Sequence, residues 1–274
     1  MDVNQLKKLA AEKAVEEISS SMIVGLGTGS TVQFALGKIS YKIKNGELKN
    51  IRCIPSSIRT ETEAKKLGIP LTNFEELIKR REKEDVKSET KNEKHENNSD
   101  KKKSSLSRFP FPVSHFALID ITIDGADECD EELNLIKGGG GALLREKILA
   151  QASKRLIIIV DESKLSTYLG TKWHVPVEVI QFAADVEQKF LESLGAKVVK
   201  RKNAEGKDYV TDENNFILDA NFGAIKNPEE LAVLLNKRAG IVEHGLFIGM
   251  TSELICAMSD GKIRIKKSEV RIQK

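Results

Sequence analysis

Short runs of β-branched and aliphatic residues recur along the chain at Met22–Leu26, Ile51–Ile54, Phe116–Ile123, Arg155–Val160 and Gly245–Met250. Stretches of helical periodicity lie between them, at Asn4–Ser19, Thr31–Ile43, Ile58–Leu67 and Gly141–Lys154. This alternation constrains the fold more than any other feature. It predicts an α/β chain with a largely parallel, open, Rossmann-like sheet and helices on both faces. From Lys172 to His244 the order changes to strand, helix, two strands, helix, strand. The candidates there are Val177–Ile180, Ala183–Leu194, Lys197–Lys200, a Tyr209–Thr211 and Phe216–Asp219 hairpin, a helix capped by Asn227-Pro228, and Gly240–Glu243. An α/β domain over 1–171 and 245–274 is therefore expected, with a small inserted α+β, ferredoxin-like domain over 172–244.

Bulk properties exclude several classes of function. The longest apolar runs, such as Leu156–Val160, fall far short of the roughly 20 residues that span a bilayer. The N-terminal segment carries charges at the spacing of an amphipathic helix and lacks the apolar stretch of a signal peptide, so a cytoplasmic location is expected. Cys53, Cys129 and Cys256, and the four histidines, are scattered with no ligand spacing, which argues against a disulfide framework and a metal site.

The formal charge of +3 does not describe the folded body. Residues 79–108 hold 11 Lys/Arg against 7 Asp/Glu, and the remainder carries 33 against 34. With Val86 and Leu106 as its only aliphatic residues, Lys79–Arg108 reads as a disordered, low-complexity insertion rather than a nucleic-acid patch.

In an open α/β sheet ligands gather beyond the carboxyl ends of the strands, so each strand is read by the turn at its end. Met22–Leu26 leads into Gly27-Thr28-Gly29-Ser30-Thr31 and a helix. Glycines admit an anion to the backbone and a helix N-terminus adds partial positive charge. Taken alone, the same loop serves equally as a tight turn with a helix cap. The third strand ends in Asp124-Gly125-Ala126-Asp127-Glu128, with more carboxylates than capping needs, and paired carboxylates can divide acid and base duties. Lys137-Gly138-Gly139-Gly140-Gly141 then opens a helix bearing Glu146. Four glycines fit a backbone that approaches a ligand closely, and Lys137 places a cation where an oxyanion develops. Glu146, viewed singly, is either a base or half of a surface pair with Lys147. Lys164 follows the fourth strand in Asp161-Glu162-Ser163-Lys164, where an exposed lysine or a phosphate contact are both open.

Together, GLGTGSTV at 25–32, DGADE at 124–128, IKGGGGALLREKI at 136–148, VDESK at 160–164 and PVEVI at 176–180 resemble the ribose-5-phosphate isomerase A family. The likeness covers nearly the whole chain apart from 79–108. It implies an aldose–ketose isomerase of the pentose phosphate pathway that acts on a sugar phosphate, needs no cofactor or metal, and assembles as a homodimer or homotetramer. It also implies Glu146 as proton acceptor, with Asp124, Asp127 and Lys137 as further catalytic groups. The substrate site it implies comprises Thr28, Gly29, Ser30, Thr31, Asp124, Gly125, Ala126, Asp127, Lys137, Gly138, Gly139, Gly140 and Lys164. Two rivals remain. A non-catalytic phosphosugar sensor would need a DNA-reading domain, for which one helix before the first strand is too little. A coenzyme A transferase would need a nucleotide fingerprint that the sequence lacks.

Overall fold

The computed structural model describes residues 1–92 and 117–268. Its centre is a six-stranded sheet formed by β1 (Ile23–Leu26), β2 (Arg52–Pro55), β3 (Ile121–Asp124), β6 (Leu156–Asp161), β12 (Glu253–Ala257) and β13 (Ile263–Lys267), in the order β13-β12-β6-β3-β1-β2. All neighbours pair in parallel except the edge strand β13, which runs antiparallel to β12. Strand β6 is buried along all six residues, as a strand covered on both faces must be.

Alternation along β6 divides the two cores. Ile157 and Ile159 pack with α1 (Val3–Val15) and α2 (Ser30–Lys44) through Leu6, Ala10, Ala14, Leu36 and Ile39. Leu156, Ile158 and Val160 face the opposite way onto Leu135, Phe247 and Ala150. That second face is covered by α5 (Leu143–Gln151) and by a small antiparallel sheet of β4 (Glu128–Cys129), β5 (Leu135–Ile136) and β11 (Leu246–Phe247). Helix α3 (Ile58–Lys66) follows β2 and is capped by the Ser57 hydroxyl.

A four-stranded antiparallel sheet completes the fold, with β7 (Val175–Val179), β8 (Lys197–Lys200), β9 (Phe216–Asn221) and β10 (Ile241–His244) in the order β10-β7-β9-β8. With α6 (Ala184–Ser193) and α7 (Pro228–Asn236) on one side, this is the ferredoxin-like arrangement. Val175, Val177 and Val179 bury against Leu191 and Leu235 of those helices. The layer meets the body through Gly245, whose carbonyl accepts from Lys137 N at 2.9 Å and whose N–H reaches Pro176 O at 2.7 Å.

Four expectations change. Gly245–Met250 does not join the parallel sheet: it supplies only β11, and the apolar run at Glu253–Ala257 takes the position beside β6. Both runs have the same character, and a positive φ of 63° at Gly249 turns the chain between them. The third strand starts at Ile121, because the chain bends at Asp120, whose carboxylate accepts from Ile23 N at 2.8 Å. Ile119 accordingly packs with Ile54, Leu77 and Leu149, away from Ile121 and Ile123. Tyr209–Thr211 makes only an isolated bridge, Val210 to Phe216.

The expected disorder of Lys79–Arg108 is wrong over its first part, since α4 spans Phe74–Asn92. The helix is nucleated where its first turns pack, Phe74 and Leu77 lying with Ile54, Ile119 and Leu149, and each further residue then adds a backbone bond at little nucleation cost. Here Asn73 Oδ1 accepts from Glu76 N, Leu77 is buried, and Lys79 pairs with Glu75 one turn earlier. The remainder, 93–108, lies outside the described residues.

Gly25 tests the register of the central strands. A Cβ at this position would overlap Thr122 Oγ1 on β3. Gly25→Ala is expected to lose about 1–3 kcal/mol of stability, measured by urea unfolding; parental stability would contradict the β1–β3 pairing.

Candidate active site

The turns after β1, β3 and β6 reach one place on the carboxyl side of the parallel sheet, and beside them stands Lys137. The side chain follows β5, is 3% exposed, and three oxygens surround its ammonium. Asp124 Oδ2 at the end of β3 lies 2.8 Å away, Gly125 O 2.7 Å and Glu146 Oε2 3.3 Å. Asp124 is further held by Thr28 N (3.1 Å) and Gly125 N (2.7 Å), both donating to Oδ1. A Cβ on Gly27 would overlap the same carboxylate, so the first glycine of the β1 turn is the space Asp124 occupies.

Glu146 sits in the first turn of α5, with its N–H bonded to Ala142 O at 3.0 Å and its side chain 3% exposed. Oε2 has no well-directed hydrogen bond. Burial pushes this carboxyl up to about 8; Lys137 opposes the shift, and the charges on Asp124 and Asp127 add to it. Burial raises Asp124 as well, against the pull of Lys137. Burial alone would lower Lys137, but Asp124 and Glu146 more than reverse that, so the ammonium stays charged. One cation thus faces two carboxylates, and the last proton on the pair is held well above the ordinary carboxylate range.

Helix α5 is held in place from behind. Lys147, also buried, donates to Glu243 Oε1 and to His244 O, each at 2.6 Å, and lies 4.9 Å from the centre of the Phe247 ring. Glu146 and Lys147 are therefore not a surface pair: the two side chains are buried in different environments.

A cavity of about 110 Å³ opens over this cluster. Its walls include Thr28, Gly29, Ser30, Thr31, Gly125, Ala126, Asp127, Lys137, Gly138, Gly139, Gly140, Glu146 and Lys164. Of the sequence candidates only Asp124 lies behind the wall, fully engaged in the protein's own hydrogen bonds. Thr28 reaches the cavity, but its hydroxyl donates to Ser57 Oγ (2.8 Å) and its N–H to Asp124. A buried hydroxyl cluster of Ser56, Ser57 and Thr60 holds it there. Asp127 Oδ2 accepts from Gly139 N at 2.7 Å, and a Cβ on Gly139 would stand 2.6 Å from Oδ1, so this close approach requires glycine.

The far end of the cavity is cationic. Helix α2 starts from Gly29 without a side-chain cap, which leaves first-turn N–H groups without intrahelical partners. Lys7 of α1 lines the cavity beside it and donates to Ser30 Oγ at 2.9 Å; Lys164 lines it from the turn after β6. Uncapped N–H groups with two ammonium groups suit a phosphate.

Lys7 was missed because it lies inside an amphipathic helix, where no strand end marks it. Arg201 and Tyr209 were missed for a similar reason: both belong to the ferredoxin-like layer. Arg201 Nη1 donates to Gly138 O (2.9 Å) and Gly139 O (3.2 Å) while the same guanidinium pairs with Asp219. Tyr209 fills the space a side chain at Gly141 would need, where φ is 83°. Ser56 and Ser57 follow β2, and reading each strand by its end would have found them.

A family model of ribose 5-phosphate isomerase A (phosphoriboisomerase A) matches residues 98–261. The chain is 50% identical to ribose-5-phosphate isomerase A of Desulfatibacillum aliphaticivorans, over 93% of this chain and 94% of that one. Among solved structures, ribose 5-phosphate isomerase from Plasmodium falciparum matches with a TM-score of 0.79 at 38% identity, covering 97% and 99% of the two chains. A D-ribose-5-phosphate isomerase in complex with phospho-erythronic acid matches with a TM-score of 0.80 at 30% identity, covering 97% and 100%.

The raised Glu146 carboxyl makes a prediction about stability. A carboxyl whose folded value exceeds its unfolded one stabilises the fold fully below the unfolded value, and that contribution is lost as pH rises through about 8. Glu146→Gln mimics the neutral acid and is free of this loss. In thermal melts the variant should exceed the parent at pH 8.5, with the gap closing by pH 5; a gap independent of pH would show that burial does not raise this group.

Proposed function

The chain belongs to the ribose 5-phosphate isomerase A family, and we propose that its reaction is a one-base proton transfer in which Glu146 carries the proton between neighbouring carbons. It is an aldose–ketose isomerase that interconverts D-ribose 5-phosphate and D-ribulose 5-phosphate, a step of the non-oxidative pentose phosphate pathway. The observation that carries the assignment is a buried carboxylate of raised proton affinity, open to a small polar cavity and 3.3 Å from a buried ammonium.

The sugar phosphate arrives mostly as a ring. Asp127 faces the cavity where Asp124 does not, and is proposed to move the proton between anomeric hydroxyl and ring oxygen that opens it. Glu146 then removes the proton from C2, and the electron pair moves into an enediolate across C1 and C2. The C2 hydroxyl gives up its proton as the new carbonyl forms, the old carbonyl oxygen gains one, and Glu146 returns its proton to C1. As Glu146 is neutralised, negative charge appears on the sugar oxygens. Lys137 loses an ion-pair partner at that moment and can turn a proton toward the enediolate, aided by the N–H groups of the glycine loop. The phosphate would lie between Lys7, Lys164 and the α2 N-terminus, far from the bonds that change, and its binding energy orients the carbon chain.

No helix among the described residues is long and apolar enough to cross a membrane. A cytoplasmic location and assembly as a homodimer complete the proposal. Support for assembly comes from an exposed apolar group at the start of α6, where Phe182 is 97% and Val186 61% exposed. Light scattering of the purified chain tests it, and a monomer throughout the micromolar range would end it.

Glu146→Gln is expected to lower kcat by about 10²–10⁴-fold while leaving competition by inorganic phosphate unchanged. Parental kcat/KM should rise with pH along an acidic limb well above the usual carboxylate range, as the raised Asp124/Glu146 pair ionises. Near-normal turnover of the variant, or a limb near the ordinary glutamate value, would remove Glu146 as the base.

A further inference from the structure

Glu128 is buried to 0% exposure, lies outside the cavity walls and has no part in the proton transfer. Even so, four donors converge on it. Gly170 N (2.9 Å) and Trp173 N (3.0 Å) donate to Oε2, and Thr171 Oγ1 (2.8 Å) and Lys172 N (3.1 Å) donate to Oε1. All four come from a single turn. Burial would raise this carboxyl, but the hydroxyls of Ser166 and Thr171 and the backbone N–H groups reverse the shift, so the group is an anion at neutral pH.

The turn that Glu128 gathers reaches back to Lys164. The Lys172 ammonium donates to Ser163 O (2.9 Å) and Leu165 O (2.5 Å), the carbonyls on either side of Lys164. Trp173 places its ring 5.3 Å from Lys164 Nζ. On the other side Cys129 O, next to Glu128 on β4, accepts from Ser166 N at 2.8 Å. Lys164 has no strand or long helix of its own; it sits in a three-residue turn capped from within by Asp161, which accepts from Ser163 N at 3.0 Å, and the contacts above hold that turn from outside.

We infer that Glu128 is a positioning residue for the phosphate end of the site: it holds the 170–173 turn so that Lys172 and Trp173 aim Lys164 into the cavity. This rests on the reading of Lys164 as a phosphate contact. A carboxamide in place of Glu128 would keep one acceptor oxygen and set an N–H₂ against two donors, so the turn would have to rearrange. The effect should fall on phosphate recognition, while the Lys137 and Glu146 groups remain in place.

The experiment measures KM and kcat for ribose 5-phosphate, and the inhibition constant of inorganic phosphate, in Glu128→Gln, Lys172→Met, Lys164→Ala and the doubles with Lys164→Ala. Lys172 is exposed, so its variant reports on the same linkage even if loss of the buried carboxylate impairs folding. Expected for Glu128→Gln and Lys172→Met is a rise of about fivefold to twentyfold in both KM and the phosphate constant, the size of a lost charge-assisted contact, with kcat within about threefold. In either double variant the loss should not exceed that of Lys164→Ala alone. Effects that multiply with Lys164→Ala, or that fall on kcat with KM unchanged, would overturn the inference while leaving Lys164 as a phosphate contact. An unchanged phosphate constant in Lys164→Ala would remove the phosphate reading itself, and the inference with it.

Discussion

The ammonium of Lys137 holds the site together, because it is the buried cation that two buried carboxylates share. A single buried pair of opposite charges is balanced, and its proton affinities move apart in the direction that keeps both ionised. Adding the second carboxylate leaves an excess negative charge on side chains that are almost wholly buried. Proton uptake by Glu146 relieves the excess, and this is the step that the proposed one-base transfer asks of it. In the proposed reaction the charge leaves Glu146 and appears on the sugar oxygens, so Lys137 would have the same sum of charge beside it before and after. Stabilisation of the intermediate then requires little movement of the protein.

Such a cluster survives only where the rest of the fold leaves its members no alternative. Asp124 is fixed by two backbone N–H groups and by the absence of a side chain on Gly27. Glu146 is carried by α5, and α5 is anchored through Lys147 to the last two residues of β10. The glycine loop is held by its carbonyls: Arg201 takes those of Gly138 and Gly139, so the peptide N–H groups are directed away from the ferredoxin-like layer. That layer contributes a clamp for the backbone rather than a wall of the cavity.

Most of the parallel sheet was legible in the sequence because strands buried on both faces are largely apolar, as β6 is from Leu156 to Val160, while β3 departs from this with buried Thr122 and Asp124. The turns after such strands were legible for the same reason, through the glycines and carboxylates of 27–31, 124–128 and 137–141. Confusion arose where two runs had equal character, as at Gly245–Met250 and Glu253–Ala257. It arose again along α4, where a packed start at Phe74 and Leu77 leads into a charged stretch with little apolar periodicity. The residues that support the site from outside were not legible. Lys7, Arg201 and Tyr209 lie on elements whose own pattern reports only their own core, and long-range contact carries no mark in local spacing.

The motif Asp124-Gly125-Ala126-Asp127-Glu128 illustrates how little of a site's logic comes from chemical type alone. Its three carboxylates are close in sequence and divide the work by direction: Asp124 turns inward to Lys137, Asp127 faces the cavity and Gly139, and Glu128 points away to the 170–173 turn. The change in direction comes from the chain leaving β3 and starting β4 within four residues, so that successive side chains project to different walls. An acid of the same charge at each position therefore meets a different balance of burial and donors. At Glu128 donors to both oxygens outweigh burial, and the carboxylate is a fixed anion that serves geometry; at Glu146 burial outweighs the pull of Lys137, one oxygen has no directed donor, and the proton affinity rises as the proposed base requires.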